Sequence, residues 1–332
     1  LFPQHDRVAL AALAVVGIFL VGGCVGYAPF TKPPKLSASV QSASIQVGQL
    51  KRSYLFYVPR NLPTNAPLVF ALHGATQDAD RMRVSTGYEF ERLADEHGFI
   101  VIYPNGYKNH WNDCRKAASY AARKKNIDDE GFIFALIERF HSSLNADRTR
   151  VFVMGYSNGG HMAFRLAMEV PERITAIAAV AANLPPDDNC DCRKSGRSIP
   201  VMIMNGTKDP INPDGGGKIS IFGFGNRGMV ISSRKSAEYF AGLDSQDGAP
   251  TISRLSSTNH ADHTLVEKLE WNAPGKPEVV LESIHGGGHV VPQLVYTAPR
   301  FLGRTTHVIN GPEEIWNFFA RQKPLVSVRQ DP

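Results

Sequence analysis

The join spanning residues 151–169 narrows the fold more than anything else in the chain. An apolar run, Val151 to Met154, leads into Gly155-Tyr156-Ser157-Asn158-Gly159, and the stretch His161 to Glu169 follows with helical spacing. A short unbroken apolar run suits a strand buried on both faces, and recurrence at three and four residues suits a helix. Passing from one to the other at a single serine needs a turn so tight that side chains two positions either side would collide, hence the glycines. Such a join lifts a hydroxyl to the carboxyl end of a strand, where open α/β sheets collect their chemistry.

The rest of the chain repeats the alternation. Apolar or β-rich runs predict strands at Ser44 to Val47, Ser53 to Val58, Leu68 to Leu72, Phe99 to Tyr103, Ile174 to Ala181, Pro200 to Met204 and Val279 to Ile284. Helical spacing marks Gly131 to Phe140, Ser233 to Leu243 and Glu313 to Arg321. The expectation is an α/β fold with a mostly parallel central sheet and helices on both faces. At 332 residues, 43% of them hydrophobic, the chain is long enough for a substantial core.

A serine hydroxyl becomes a nucleophile when a base takes its proton, and behind this motif the partners follow in the order acid, then histidine. Asp209 comes just past the run ending at Met204, in Asn205-Gly206-Thr207-Lys208-Asp209-Pro210, with Asp214 as competitor. The histidine is expected in Ile284-His285-Gly286-Gly287-Gly288-His289, where three glycines let His289 fold back toward Ser157; His285 is the alternative. A developing oxyanion needs two N–H donors. The backbone of Asn158 supplies one, and the turn His73-Gly74-Ala75-Thr76 supplies the other through Ala75, with Thr76 as its neighbour. His161 is expected to pack or cap near the helix start.

The two ends and the charge say less. Arg7, the apolar run Val8 to Leu20 and Val21-Gly22-Gly23-Cys24 predict a lipoprotein-type signal over 1–23, with Cys24 carrying lipid and joining the domain to a membrane. An uncleaved anchor helix from Val8 to Val25 is the alternative, and both put the remainder outside the cytoplasm. Residues 24–43, rich in Pro, Lys and Ser, read as a flexible tether, and 44–325 as one domain. Of the other cysteines, Cys114 is free to pair with Cys190 or Cys192. The balance of 36 Lys and Arg against 31 Asp and Glu, a net +5, is scattered rather than striped, which argues against nucleic acid. No metal or cofactor is expected, and no protein partner. Gly223-Phe224-Gly225-Asn226-Arg227-Gly228 matches a dinucleotide fingerprint, but it falls late and opens no βαβ unit, so it reads as a loop leading into the helix start at Ser232-Ser233.

Taken in order, Leu72-His73-Gly74, Trp111-Asn112-Asp113, Asp128-Asp129 before Gly131-Phe132, Gly155 to Gly160, Asn205 to Pro210 and Gly286 to His289 resemble the secreted esterases grouped with polyhydroxybutyrate depolymerases, feruloyl esterases and LpqC-type lipoprotein esterases. The resemblance covers roughly Ser44 to Arg321 and implies an α/β-hydrolase fold, a serine carboxylic-ester hydrolase, and Ser157, Asp209 and His289 as nucleophile, acid and base. It also implies an apolar wall at Trp111, with His73 and Tyr156 as further contacts to an ester substrate, and a helix cap at Asp129. The sequence departs from the family at Val291, where members often carry a tryptophan two residues after the histidine. That residue would sit against substrate, so the particular ester does not follow. Serine peptidases of the same fold and a catalytically silent, lipid-anchored binding module are the rival readings.

Overall fold

Each central strand sends alternate side chains into two separate cores. In β3 (Leu68–Leu72), Leu68, Phe70 and Leu72 join one core, while Val69 and Ala71 join the other. The same division runs through β4 (Ile100–Pro104), β5 (Val151–Tyr156), β6 (Ala176–Val180) and β7 (Val201–Gly206). Strands with apolar partners on both faces have no polar side, so they read as continuous hydrophobic runs. The structure is a computed structural model that describes residues 33–221, 227–256 and 262–325.

With β1 (Gln41–Val47), β2 (Leu50–Tyr57), β10 (Thr251–Ser256), β11 (Leu265–Trp271) and β12 (Val279–His285), these strands form a ten-stranded sheet. Its order is β1-β2-β4-β3-β5-β6-β7-β12-β11-β10. The centre, from β4 through β12, is parallel, and antiparallel pairs close both edges. A small hairpin, β8 (Gly217–Lys218) with β9 (Met229–Val230), stands apart.

The helices divide between the faces. α1 (Ala79–Ser85) and α2 (Glu89–His97) pack on one side with α7 (Gly311–Ala320). The other side carries α4 (Asp129–Leu144), α5 (Asn158–Glu169) and α6 (Ser233–Gly242), while the short α3 (Ala121–Lys124) lies in the connection before α4. The predicted parallel α/β sheet is present; the helices α1 and α2 and the edge hairpin β10–β11 are additions to it.

The expected tether ends earlier than residue 43. The backbone N–H and hydroxyl of Ser37 both donate to the Asp95 carboxylate, and β1 begins at Gln41. Residues 37–43 therefore belong to the domain, because they are hydrogen-bonded to it. The expected signal over 1–23, Cys24, and the tether as far as residue 32 lie outside the described residues. Among the described residues, no helix is long and apolar enough to cross a membrane.

Candidate active site

Ser157 sits between β5 and α5 with φ 54° and ψ −115°, a left-handed conformation that strains any residue with a side chain. Two bonds hold it there: its N–H donates to Val180 O at 2.8 Å, and its carbonyl accepts from His161 N at 3.0 Å. The flanking glycines are obligatory. A Cβ at Gly155 would overlap the carbonyl of Gly159, and one at Gly159 would overlap the carbonyl of Leu72. A Cβ at Gly160 would fall 2.8 Å from that of Ala182 on the next strand's connection.

The loops after β7 and β12 bring the other two groups to Ser157. His289 Nε2 is 2.9 Å from Ser157 Oγ, and His289 Nδ1 is 2.7 Å from Asp209 Oδ2. The second oxygen of Asp209 accepts from the N–H groups of Ile211 and Asn212 at 2.7 and 2.8 Å, so the carboxylate is fixed at both ends. The loops are also laced together: Thr207 N donates to Ile284 O, Lys208 N to Gly287 O, and Gly286 N to Thr207 Oγ1. His289 N donates to Leu302 O at 2.6 Å, and Tyr156 Oη donates to His289 O at 2.8 Å. The side chain of Asp209 is fully buried and that of His289 is 5% exposed, so the Nδ1 bond works where water competes little. With Nδ1–H directed to the carboxylate, Nε2 keeps the lone pair that accepts the serine proton.

The competitors sit apart from this arrangement. His285 is 47% exposed and 3.7 Å from Glu267, on the edge hairpin's side. Asp214 contributes its backbone carbonyl to Ser233 N at the start of α6.

Two of the candidate N–H donors remain uncommitted. Among the described residues, the backbone N–H groups of Asn158 and Ala75 donate to no protein acceptor, whereas Gly74 N donates to Gln77 Oε1 and Thr76 N to Asn109 O. Of the turn's N–H groups, Ala75 is thus the one left available, rather than Thr76.

The residues expected against substrate are placed elsewhere. Trp111 is fully buried, with Nε1 donating to His73 O at 2.9 Å, and so forms no wall open to a ligand. His73 is equally buried; its Nδ1 bonds Gly74 O and its Nε2 accepts from Gly106 N at 2.9 Å. Burial pulls the His73 imidazole down to about 4, so it is a neutral brace between the β3 and β4 loops. Val291 packs into the core that holds α7. Tyr156 is 5% exposed and spends its hydroxyl on His289. Trp111, His73 and Tyr156 each spend a polar group on protein that is distant in sequence. Asp129 does not cap α4 either; Asp128 accepts from Gly131 N at 2.7 Å, while Asp129 is buried against Arg52 and Asn112 N, both at 2.7 Å.

Sequence reasoning missed a polar cluster behind Asn158. The Asn158 amide bonds the backbone of Trp111 and the carboxylate of Asp113, whose Oδ2 also accepts from Arg115 Nη2. Asp113 stood in a recognised motif, but nothing in it pointed to a partner on another element. His161, as expected, packs beneath; burial holds its imidazole far below the ordinary range, and its Nδ1 has no partner among the described residues. Cys114 pairs with Cys192, leaving Cys190 half-buried as a thiol. Of the G-x-G-x-x-G segment, 223–226 lie outside the described residues; Ser232 caps α6 by accepting from Lys235 N.

A mostly parallel sheet flanked by helices, with a serine on a strand-to-helix elbow bonded to a histidine that in turn bonds an aspartate, defines an α/β-hydrolase fold. Residues 52–213 match the family model described as esterase PHB depolymerase. The putative esterase NocK of Nocardia uniformis subsp. tsuyamanensis is 26% identical over 301 residues, covering 88% of this chain and 86% of that protein. Acetylxylan esterase A of Talaromyces purpureogenus is 36% identical over 121 residues, covering 36% of this chain and 31% of its own, so the match spans about a third of that relative. The solved acetyl xylan esterase from Aspergillus awamori superposes with a TM-score of 0.56 at 19% identity, covering 85% of this chain and 99% of that one, a likeness of fold. With residues 52–213 matching that model, the chain is a carboxylic-ester hydrolase.

Proposed function

We propose that the protein is an exported serine esterase that cleaves short-acyl esters through an acyl-enzyme. Ser157 Oγ attacks the ester carbonyl while His289 Nε2 takes its proton. Asp209 stabilises the resulting imidazolium. The N–H groups of Asn158 and Ala75 receive the oxyanion, in a position where one lost donor of this kind costs about 10²–10³ in rate. The intermediate collapses as His289 returns the proton to the leaving alcohol, and water repeats the sequence to free the acid. The observation that carries this reading is the unbroken bond series from Ser157 to His289 to Asp209, at 2.9 and 2.7 Å.

Acetyl esters of polysaccharide are the proposed substrate class. Support comes from relatives named as acetylxylan esterases, and from the burial of Trp111 and Val291, which leaves those positions without an aromatic platform for a polyester or an aromatic acid. Export, with lipid on Cys24 at the cell envelope, rests on the pattern Arg7 to Cys24, and the Cys114–Cys192 bridge suits an oxidising compartment.

A panel of p-nitrophenyl acetate, acetylated xylan, methyl ferulate and polyhydroxybutyrate, run against the enzyme and Ser157→Ala, tests the reading. Turnover of the acetyl esters that disappears in Ser157→Ala is expected. Full activity in that variant refutes the mechanism, and preference for methyl ferulate or polyhydroxybutyrate refutes the substrate class.

A further inference from the structure

Both candidate oxyanion donors are held by one short loop, residues 111–115. On one side, Asn158 is 1% exposed and its amide makes three bonds to this loop. Its Oδ1 accepts from Trp111 N at 2.8 Å; its Nδ2 donates to Trp111 O at 3.2 Å and to Asp113 Oδ2 at 2.6 Å. On the other side, the Trp111 indole donates to His73 O at 2.9 Å, two residues before Ala75. The loop therefore spans the gap between the two N–H groups.

Its own rigidity comes from a buried ion pair and a bridge. Arg115 meets Asp113 through Nε at 3.0 Å and Nη2 at 2.5 Å, and its backbone N–H adds a third bond at 3.0 Å. Both side chains are at most 2% exposed. Burial by itself would raise the Asp113 carboxyl, but the guanidinium outweighs it and holds the group below the ordinary carboxylate range. Cys114, between the two, is bonded to Cys192, and its carbonyl accepts from Asp191 N. A charged acceptor fixes a donor more firmly than a neutral one, and the Asn158 amide has such an acceptor.

We infer that Asp113 is a positioning residue for the Asn158 N–H, held in place by Arg115 and the Cys114–Cys192 bridge. This rests on the proposed acyl-enzyme reading. Asp113 touches no substrate; its carboxylate fixes the Asn158 side chain, the side chain fixes the first turn of α5, and that turn aims the N–H at the oxyanion. A misaimed donor weakens binding of the tetrahedral state and leaves ground-state binding alone.

The test compares wild type, Asp113→Asn, the double variant Cys114→Ser/Cys192→Ser and Ser157→Ala. The readouts are kcat and KM for p-nitrophenyl acetate, Ki for an alkyl trifluoromethyl ketone, and the thermal midpoint. The ketone adds to the serine as a hemiketal oxyanion, so its affinity reports the same two donors. For folded Asp113→Asn, we expect kcat to fall about 10- to 100-fold, less than or comparable to outright donor loss. KM should stay within about threefold while Ki rises in step with the fall in kcat. The bridge variant should show the same pattern at several-fold. Asp113→Asn with kcat within twofold of wild type overturns the inference, as does a fall in kcat with Ki unchanged. If Asp113→Asn shows no cooperative melt, the bridge variant decides on the same terms, since it leaves every buried charge in place. An active Ser157→Ala would instead overturn the acyl-enzyme reading itself.

Discussion

Replacing Glu282 by glutamine should flatten much of the fall in stability expected of this protein between mildly acidic and mildly basic pH. Glu282 lies on β12, opposite Met204 of β7 and Lys268 of β11, and is 2% exposed. Its Oε2 has no hydrogen-bond partner among the described residues. Burial, reinforced by the charge of Glu314, pushes its carboxyl from 4.5 up to about 8, with Lys268 pulling the other way. The folded state therefore holds a proton that the unfolded state releases. Below about 4.5 both states are protonated and the group is neutral to stability; between 4.5 and 8 the unfolded chain binds fewer protons, so stability falls as pH rises, and above 8 the loss is complete. At about 1.4 kcal/mol per pH unit, that interval amounts to about 5 kcal/mol as an upper bound. Glutamine keeps the shape and cannot ionise. Urea midpoints measured from pH 5 to pH 8.5 for both proteins should diverge, with Glu282→Gln gaining on wild type as pH rises. Parallel curves would refute the assignment of a buried, proton-holding carboxyl to this strand.

Two further substitutions probe single buried contacts. Tyr156→Phe removes the hydroxyl that fixes the His289 carbonyl; a net loss of about 0.5–1.5 kcal/mol per bond predicts a fall in kcat of about 2- to 10-fold with KM unchanged, read by steady-state kinetics. Arg52→Met leaves the Asp129 carboxylate buried without its guanidinium partner, so denaturant unfolding should show a loss of about 3–5 kcal/mol, largely restored when Asp129→Asn is added.

The central sheet was legible because strands covered on both faces carry no polar interruption, and Leu68–Leu72 and Val151–Tyr156 stand out as apolar runs. β10 was not, since every residue of Thr251–Ser256 is exposed and no buried face imposes a period. α1 and α2 are short, and α2 mixes Phe90, Leu93 and Ala94 with six charged or histidine neighbours in a nine-residue helix. Ser157, Asp209 and His289 were legible one by one because each follows a strand end, the place where such a fold exposes side chains. The failures concern burial. Trp111, His73, Tyr156 and Val291 belong to the right region, yet their neighbours come from remote segments: Tyr156 meets His289, 133 residues on. Asp113 and Asn158 lie 45 residues apart and meet only because the loop after β4 crosses the start of α5. The choice between Cys190 and Cys192 is likewise a matter of the folded arrangement, in which Asp191 N donates to Cys114 O and Cys192 bonds Cys114.

The most direct test of the acyl-enzyme reading is the site of covalent labelling by a fluorophosphonate, mapped by peptide mass spectrometry alongside loss of esterase activity. One phosphonate on Ser157, formed in step with inactivation and absent in His289→Ala on the same timescale, is the predicted result. Inactivation with the label on another residue, or hydrolysis that continues in enzyme fully labelled at Ser157, would contradict it.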